Sequence, residues 1–173
     1  MKKFIVISLS ALLGGTAFFL PSRSLQAQRM KNWTWKSQNL RFQLPANWKI
    51  KRNTATVFIA KGPNNVTIKI APAHQRTAIR AARYGLNTYR VILRKRIIQK
   101  KYISSGGTGL MRYITFGTGQ ENKYRRPVNF GIIGLKNKKT RKTHYVRFWW
   151  YIKDNARFNR ITYKIATSFR AYR

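Results

Sequence analysis

The chain has 173 residues, of which 37 are Lys or Arg and two are Asp or Glu, so its formal net charge is +35 at pH 7. A small domain stays soluble with a net charge of magnitude roughly 2–8, so we expect this excess to meet an anionic partner. A hydrophobic fraction of 43% is that of a folded domain and excludes a disordered basic tail. The lack of cysteine excludes disulfides, thiolate catalysis, cysteine zinc sites and lipoprotein attachment.

An apolar run near the N-terminus predicts export. Lys2 and Lys3 precede residues 4–20, and the small-residue stretch "SRSLQAQ" follows, as in a secretory signal peptide. We predict cleavage after Ala27, with cleavage after Ser24 as the alternative. An uncleaved anchor helix is the competing interpretation, but the run is shorter than the ~20 residues of a membrane span.

Residues 28–173 are then predicted to form one exported domain, located in the periplasm, a lumen or the extracellular space. Loss of Lys2, Lys3 and Arg23 with the signal lowers the net charge by three, to +32. Export therefore leaves the cationic excess almost unchanged.

Alternating apolar and polar residues predict a sheet. In chain order, the predicted strands are 40–45, 55–61, 66–72, 97–104, 110–117, 128–136 and 143–152. The segment 28–38 is predicted to be a polar entry segment that carries Trp33 and Trp35. Turns or loops are predicted at "GPNN", "SGGTG", "TGQENKYRRP" and "NKKTRK".

Two segments have helical spacing. Residues 75–95 carry an apolar face at intervals of three and four, formed by Ile79, Ala82, Leu86, Tyr89 and Leu93, and Gly85 divides this segment. A second helix is predicted after Asp154, which is suited to cap it, although "ITYKIA" also has strand character. Together the elements predict an α+β domain, an antiparallel sheet of about six or seven strands with two packed helices.

The strand 143–152 has two different faces. His144, Val146, Phe148 and Trp150 share one face, which we expect to line the core. The other face carries Tyr145, Arg147, Trp149 and Tyr151. Because it includes an arginine, we expect this face to point outward, with Trp149 and Tyr151 exposed beside cations or covered by the N-terminal segment.

Three motifs occur in a fixed order: "FQLPANWKI", "TVFIAKGPNNVTIKIAP" and "ATSFRAY". The first is an aromatic–Pro–x–x–Trp pattern, the second a hairpin with an Asn-containing turn, and the third a Ser-Phe close; their marked residues are Phe42, Pro45, Trp48, Ser168 and Phe169. With the Gly-Gly turn into "GLMRYITFG", they resemble the PsbP-like family, the extrinsic photosystem II proteins and their relatives, over about residues 39–171.

The resemblance implies a secreted or lumenal α/β/α sandwich without enzymatic activity that docks on a larger assembly. This chain lacks the acidic positions with which such proteins could hold a metal. It is also far more basic than the family pattern.

The chain carries little acid–base equipment. Paired-carboxylate catalysis needs Glu121 and Asp154 side by side, whereas Asp154 is more simply a helix cap. We expect Glu121 to neutralise a nearby cation, Lys123, Arg125 or Arg126.

An RNase-type mechanism would pair His74 and His144 with a lysine. Solvated or packed histidines are the simpler interpretation, since nothing in the sequence brings the two together. No residues have metal-ligand spacing, and "GGTG" lacks the frame of a phosphate loop. We therefore predict a non-enzyme without cofactor or metal.

Two cationic groups are the predicted anion-binding residues: the stripe Arg76, Arg80 and Arg83, and the cluster Lys136, Lys138, Lys139, Arg141 and Lys142. The predicted function is electrostatic docking on an acidic protein surface or an anionic envelope polymer. The alternatives are nucleic-acid binding, with Trp149 and Tyr151 stacking on bases, a secreted RNase, and binding of an anionic membrane through residues 76–94.

Overall fold

The computed structural model describes residues 29–63, 66–91, 93–104, 109–121, 125–151 and 155–172. The predicted signal peptide, its cleavage site and the cap at Asp154 lie outside these ranges. Neither helix in the described part of the chain is long and apolar enough to cross a membrane.

The main sheet has seven strands in the order β3-β4-β5-β9-β8-β7-β6. Every neighbouring pair is antiparallel. The strands are β3 (Lys49–Asn53), β4 (Phe58–Lys61), β5 (Thr67–Pro72), β6 (Leu93–Ser104), β7 (Leu110–Glu121), β8 (Pro127–Asn137) and β9 (Thr143–Tyr151). Strand β9 lies at the centre of the sheet, between β5 and β8. It therefore joins the group β3–β5 to the group β6–β8.

A second, three-stranded sheet has the order β1-β2-β10. Its strands are β1 (Met30–Trp35), β2 (Leu40–Pro45) and β10 (Arg170–Ala171), and a short 3₁₀ helix, Lys36–Gln38, links the first two. Because β10 pairs with β2, the two ends of the described chain meet in this sheet.

Two helices complete the fold, α1 (Ala78–Asn87) and α2 (Asn155–Ser168). Helix α1 packs on β7, β8 and β9 from one side. Helix α2 and the small sheet cover the other side, where they enclose the largest apolar cluster. The predicted α+β class, an antiparallel sheet of about six or seven strands with two packed helices, is confirmed.

The predicted helix over 75–95 is too long. Thr77 caps α1 by accepting a hydrogen bond from the Arg80 backbone N–H at 3.1 Å. The helix ends at Asn87, a 3₁₀ turn covers Thr88–Val91, and β6 begins at Leu93. Pairing of β6 with β7 satisfies the backbone of this segment and overrides the helical spacing of its apolar residues.

Other boundaries also differ from the sequence prediction. Strand β1 occupies part of the polar entry segment, for which no strand was predicted. Strand β3 was not predicted because its sequence, "KIKRN", has a single apolar residue. The predicted loop at 118–127 is shorter, since β7 continues to Glu121 and β8 begins at Pro127. Backbone pairing thus extends the sheet into sequences with weak apolar alternation.

The two faces of β9 are separated as predicted, and the second face is partly covered. His144, Val146, Phe148 and Trp150 are at most 1% exposed on the side of α2. The expectation that the opposite face points outward is wrong for Tyr145, which is buried beneath α1. Helix α1 approaches β9 closely here because Gly85 has no Cβ atom. A Cβ at this position would lie 2.9 Å from the Tyr145 Cβ.

The residues of the early and late motifs meet in the core. The rings of Phe42 and Phe169 stack at 5.2 Å between centroids. The Ser168 hydroxyl accepts a hydrogen bond from the Gln43 backbone N–H at 2.9 Å and donates to the carbonyl of Ile165. These motifs therefore fasten α2 to β2, which is a structural role.

Gly134 sets the distance between α1 and β8. A Cβ at this position would overlap the backbone carbonyl oxygen of Ala78 and lie 2.7 Å from the backbone nitrogen of Ala82. We expect Gly134→Ala to lower the free energy of unfolding by about 3 kcal/mol, because helix backbone cannot yield as a side chain can. Urea unfolding measures this loss, and Ser37→Ala, at an exposed position, should stay within about 0.5 kcal/mol. An equally small effect of Gly134→Ala would contradict the packing described.

His144 is buried between the two sheets. Its Nε2 atom lies 2.9 Å from the Gln38 Oε1 atom, and its ring lies 6.1 Å from Trp35. Burial, reinforced by Lys142 and His74, lowers the pKa of His144 to about 4. The neutral ring is therefore the form that the fold accepts.

This shift predicts acid sensitivity. The unfolded imidazole takes up a proton near pH 6.5, whereas the folded one resists until about pH 4, so stability falls between these values. The expected loss from pH 7.5 to 4.5 is roughly 2–3 kcal/mol, and His144→Gln should remove most of it. Carboxylate protonation adds little because the chain has two acidic side chains. His74→Asn is the matched control, and a control variant that flattened the profile equally would contradict this assignment.

Candidate cationic interface

The turn between β8 and β9 is rigidly built. The Asn137 Oδ1 atom accepts hydrogen bonds from the backbone N–H groups of Lys139 and Thr140 at 2.9 and 3.0 Å. The Asn137 N–H donates to the carbonyl of Lys142, and the Arg141 N–H donates to the carbonyl of Asn137. The predicted turn "NKKTRK" therefore exists, and its hydrogen bonds order the backbone from which the cationic side chains project.

This turn lies against the segment that leads into α1. The Lys136 Nζ atom donates to the Arg76 carbonyl oxygen at 2.7 Å. Thr143 and Gln75 exchange two further hydrogen bonds, since the hydroxyl of Thr143 accepts from the Gln75 N–H and donates to the Gln75 carbonyl. The two cationic groups predicted separately from the sequence are thus joined at one corner of the molecule.

We name this surface the cationic corner, and its members are Arg76, Arg80, Arg83, Lys136, Lys138, Lys139, Arg141 and Lys142. All are exposed except Lys136, which is half-buried. Arg80 and Arg83 extend the corner along the exposed side of α1. Neither α1 nor the β8–β9 turn contains an acidic residue, so these elements supply no counter-charge.

Arg141 adopts an unusual backbone conformation. Its φ angle is +61°, in the left-handed region. A residue with a Cβ atom is disfavoured there relative to glycine, by roughly 1–2 kcal/mol. The turn therefore presents an arginine where a glycine or asparagine is the residue with the lower conformational cost.

Trp149 and Tyr151 lie elsewhere. Both are half-buried against a cluster that includes Ala82 of α1 and Tyr89, so the covering element is α1 with the turn after it and not the N-terminal segment. Their rings contact edge to face at 5.5 Å. Arg126 lies over the Tyr151 ring, with its guanidinium carbon 5.9 Å from the centroid.

A further cationic group was missed by sequence reasoning. On the sheet face that carries α1, Lys69 of β5 pairs directly with Arg147 of β9 and with Ile59 of β4, and Ile59 pairs with Arg52 of β3. Burial, with Arg147 and Arg52, lowers the pKa of Lys69. Strand register creates this row, and the register across β5 and β9 has no local sequence signal.

The acid–base candidates that the structure describes, His74, His144 and Glu121, are not assembled into a catalytic site. His144 is 0% exposed, whereas His74 is exposed in a left-handed turn with φ +48°. Glu121 donates its backbone N–H to the Arg126 carbonyl, while its Oε2 atom is buried without a hydrogen-bond partner among the described residues. In the same part of the chain, no three His, Asp or Glu side chains lie close enough together to hold a metal ion.

No protein-family model matches the chain, and no curated protein does so either. The PsbP-like resemblance of the sequence motifs therefore stays a prediction.

Similar solved structures show the fold. The Ran-binding protein Mog1p of Saccharomyces cerevisiae aligns with a TM-score of 0.61 at 7% identity, covering 84% of this chain and 96% of Mog1p. A mutant of Mog1 aligns with a TM-score of 0.58 at 8% identity, covering 83% and 96%. LpqN of Mycobacterium tuberculosis, described as involved in cell envelope biogenesis, gives 0.53 at 5% identity, covering 84% and 91%. The chain thus shares an α+β sandwich fold with Mog1p and LpqN.

Proposed function

We propose that this chain is an exported, non-catalytic binding domain that docks through its cationic corner on an acidic partner, either a protein surface or an anionic envelope polymer. The observation that carries the proposal is the hydrogen bond between Lys136 and the Arg76 carbonyl. It brings two cationic groups, some 60 residues apart in the chain, onto one continuous surface.

Fixed geometry strengthens such a surface. Flexible lysines lose side-chain entropy when they meet a partner, whereas the backbone of this turn is already ordered by Asn137. Cationic side chains clustered on neighbouring elements also raise the local electrostatic potential, which steers anionic partners toward the corner. The corner is therefore suited to rapid docking that weakens as salt increases.

Arg141 supports the same proposal. A residue held in a disfavoured backbone conformation is typical of a position that serves function more than stability. In this turn a glycine would give the same bend, but it would remove a guanidinium from the surface.

A non-catalytic role follows from the separation of the acid–base groups. The buried His144 has no access to a substrate, and Glu121 lies on β7, away from the exposed His74. Mog1p, which has the same fold, is described as a Ran-binding protein. Protein recognition by this fold supports a docking role here.

The proposal is tested with immobilised poly-L-glutamate as a defined acidic polymer. The corner variant Arg80→Gln/Lys139→Gln/Lys142→Gln removes three charges from two elements. We expect its affinity to fall about tenfold or more at ~0.15 M salt, because local potential governs docking. The control Lys31→Gln/Arg160→Gln/Lys164→Gln removes three exposed charges from β1 and α2 and should lose no more than about twofold. Equal losses of affinity in both variants would show that binding depends on the net charge and not on the cationic corner, and would contradict the proposal.

Arg141→Gly separates function from stability. We expect the free energy of unfolding to stay constant or to rise by up to about 1 kcal/mol, because glycine tolerates positive φ. Binding to poly-L-glutamate should weaken in the same variant. Calorimetric unfolding and surface binding give the two readouts, and a variant that is destabilised while binding unchanged would contradict the assigned role.

A further inference from the structure

Among the residues that the structure describes, none covers one part of the α1 side of the main sheet completely. Helix α1 packs on β7, β8 and β9 and reaches β5 at Ala71. Beyond Ala71, Lys69 and Thr67 are half-buried, and Lys61 and Arg52 on the neighbouring strands are exposed. This region, which we name the open face, comprises the cations Arg52, Lys61, Lys69 and Arg147 with Ile59, Thr67 and Trp149.

Like charges oppose each other on the open face. Lys69 and Arg147 are direct cross-strand partners, an arrangement that destabilises a sheet when nothing neutralises it. Neither the strands β3, β4, β5 and β9 nor helix α1 contains an acidic residue. Within these elements the counter-charge is missing, so an external anion would relieve the repulsion.

Arg147 is held in place by the turn after α1. Its Nη1 atom donates to the Thr88 hydroxyl at 2.6 Å and to the Thr88 carbonyl at 3.1 Å. The guanidinium also lies over the ring of Tyr89, 5.2 Å from the centroid. The cation is therefore fixed at the sheet surface and does not swing away from Lys69.

An aromatic ring lies next to the cationic row. Trp149 is two residues beyond Arg147 on the same strand face, about 7 Å along the strand, and it pairs with Thr67 on β5. The side chain is half-buried, which anchors the ring and leaves part of it accessible. A sheet that places cations beside a ring is the pattern with which single-strand-binding domains hold phosphates and bases.

We propose that the open face binds single-stranded nucleic acid. Its phosphates lie along Arg52, Lys69 and Arg147, and one base stacks on Trp149. An acidic peptide would satisfy the charges but would leave the ring unused, which is why the observations favour the nucleic acid. This site is separate from the cationic corner, and its existence does not rest on the docking function proposed there.

The test uses a fluorescent oligodeoxythymidine of about 12 nucleotides, within the span of a single-strand site. Anisotropy titrations across a salt series give its affinity. For Arg52→Gln/Lys69→Gln, we expect an affinity loss of about tenfold and a salt slope reduced by about 1.4, because each phosphate contact contributes about 0.7. The control Arg160→Gln/Lys164→Gln carries the same charge change on α2, which lies across the sheet, and should lose no more than about twofold.

Substitutions of Trp149 test the open face without changing its charge. We expect Trp149→Leu to weaken binding about tenfold, as loss of one stacked base does, with the salt slope unchanged, while Trp149→Phe keeps most of the affinity. Thermal unfolding of each variant shows whether the fold is intact. Since Trp149→Phe retains a ring, the comparison remains valid even when Trp149→Leu is destabilised.

The outcomes separate the two proposals. One outcome is that the corner variant loses affinity for poly-L-glutamate but binds the oligonucleotide as tightly as the control Lys31→Gln/Arg160→Gln/Lys164→Gln does. The open face is then a site independent of the cationic corner. Equal losses in the open-face variant and the α2 control would overturn the open-face proposal. So would stronger competition by poly-L-glutamate than by unlabelled oligonucleotide, or a Trp149→Leu variant that binds like the parent.

Discussion

Scarcity of carboxylates decides how this fold is held together. With 37 basic and two acidic side chains, ion pairs can join few of its elements. Cationic side chains instead donate to backbone carbonyls: Lys136 to Arg76, Arg112 to Thr167 and Arg147 to Thr88. Hydrogen bonds from charged donors are stronger than neutral ones, typically by about a factor of two. Each of these three contacts connects a strand of the main sheet to the end of a helix or to the segment beside it.

The same scarcity shapes the surface. Cations that cannot be neutralised internally point outward, and the central strand β9 positions two groups of them. Its first residue, Thr143, ties the β8–β9 turn to Gln75 and so builds the cationic corner. Its later residues, Arg147 and Trp149, enter the open face. Strand β9 therefore contributes residues to two candidate binding surfaces. The cationic corner is purely cationic, whereas the open face is cationic and aromatic.

Local sequence signals predicted seven of the ten described strands, the cationic turn and the alternation within β9, because each depends on neighbouring residues. The extent of the first helix was wrong, since Leu86, Tyr89 and Leu93 keep helical spacing while β7 supplies strand pairing from Leu93 onward. The union of Arg76 with Lys136 and the row through Lys69 depend on contacts between distant segments. Such contacts leave no periodic pattern in the sequence. The residues of the cationic corner could therefore be predicted, but their proximity in the fold could not.

Strand β3 forms one margin of the main sheet and carries Lys49, Lys51 and Arg52 within five residues. An unpaired sheet margin invites another chain to add a strand there. A second copy that approached this margin would bring three more cations against these three. Self-assembly through β3 is therefore opposed by repulsion, whereas an extended acidic segment from another molecule meets no such barrier. The charge that we propose for partner binding would therefore also keep copies of the chain apart.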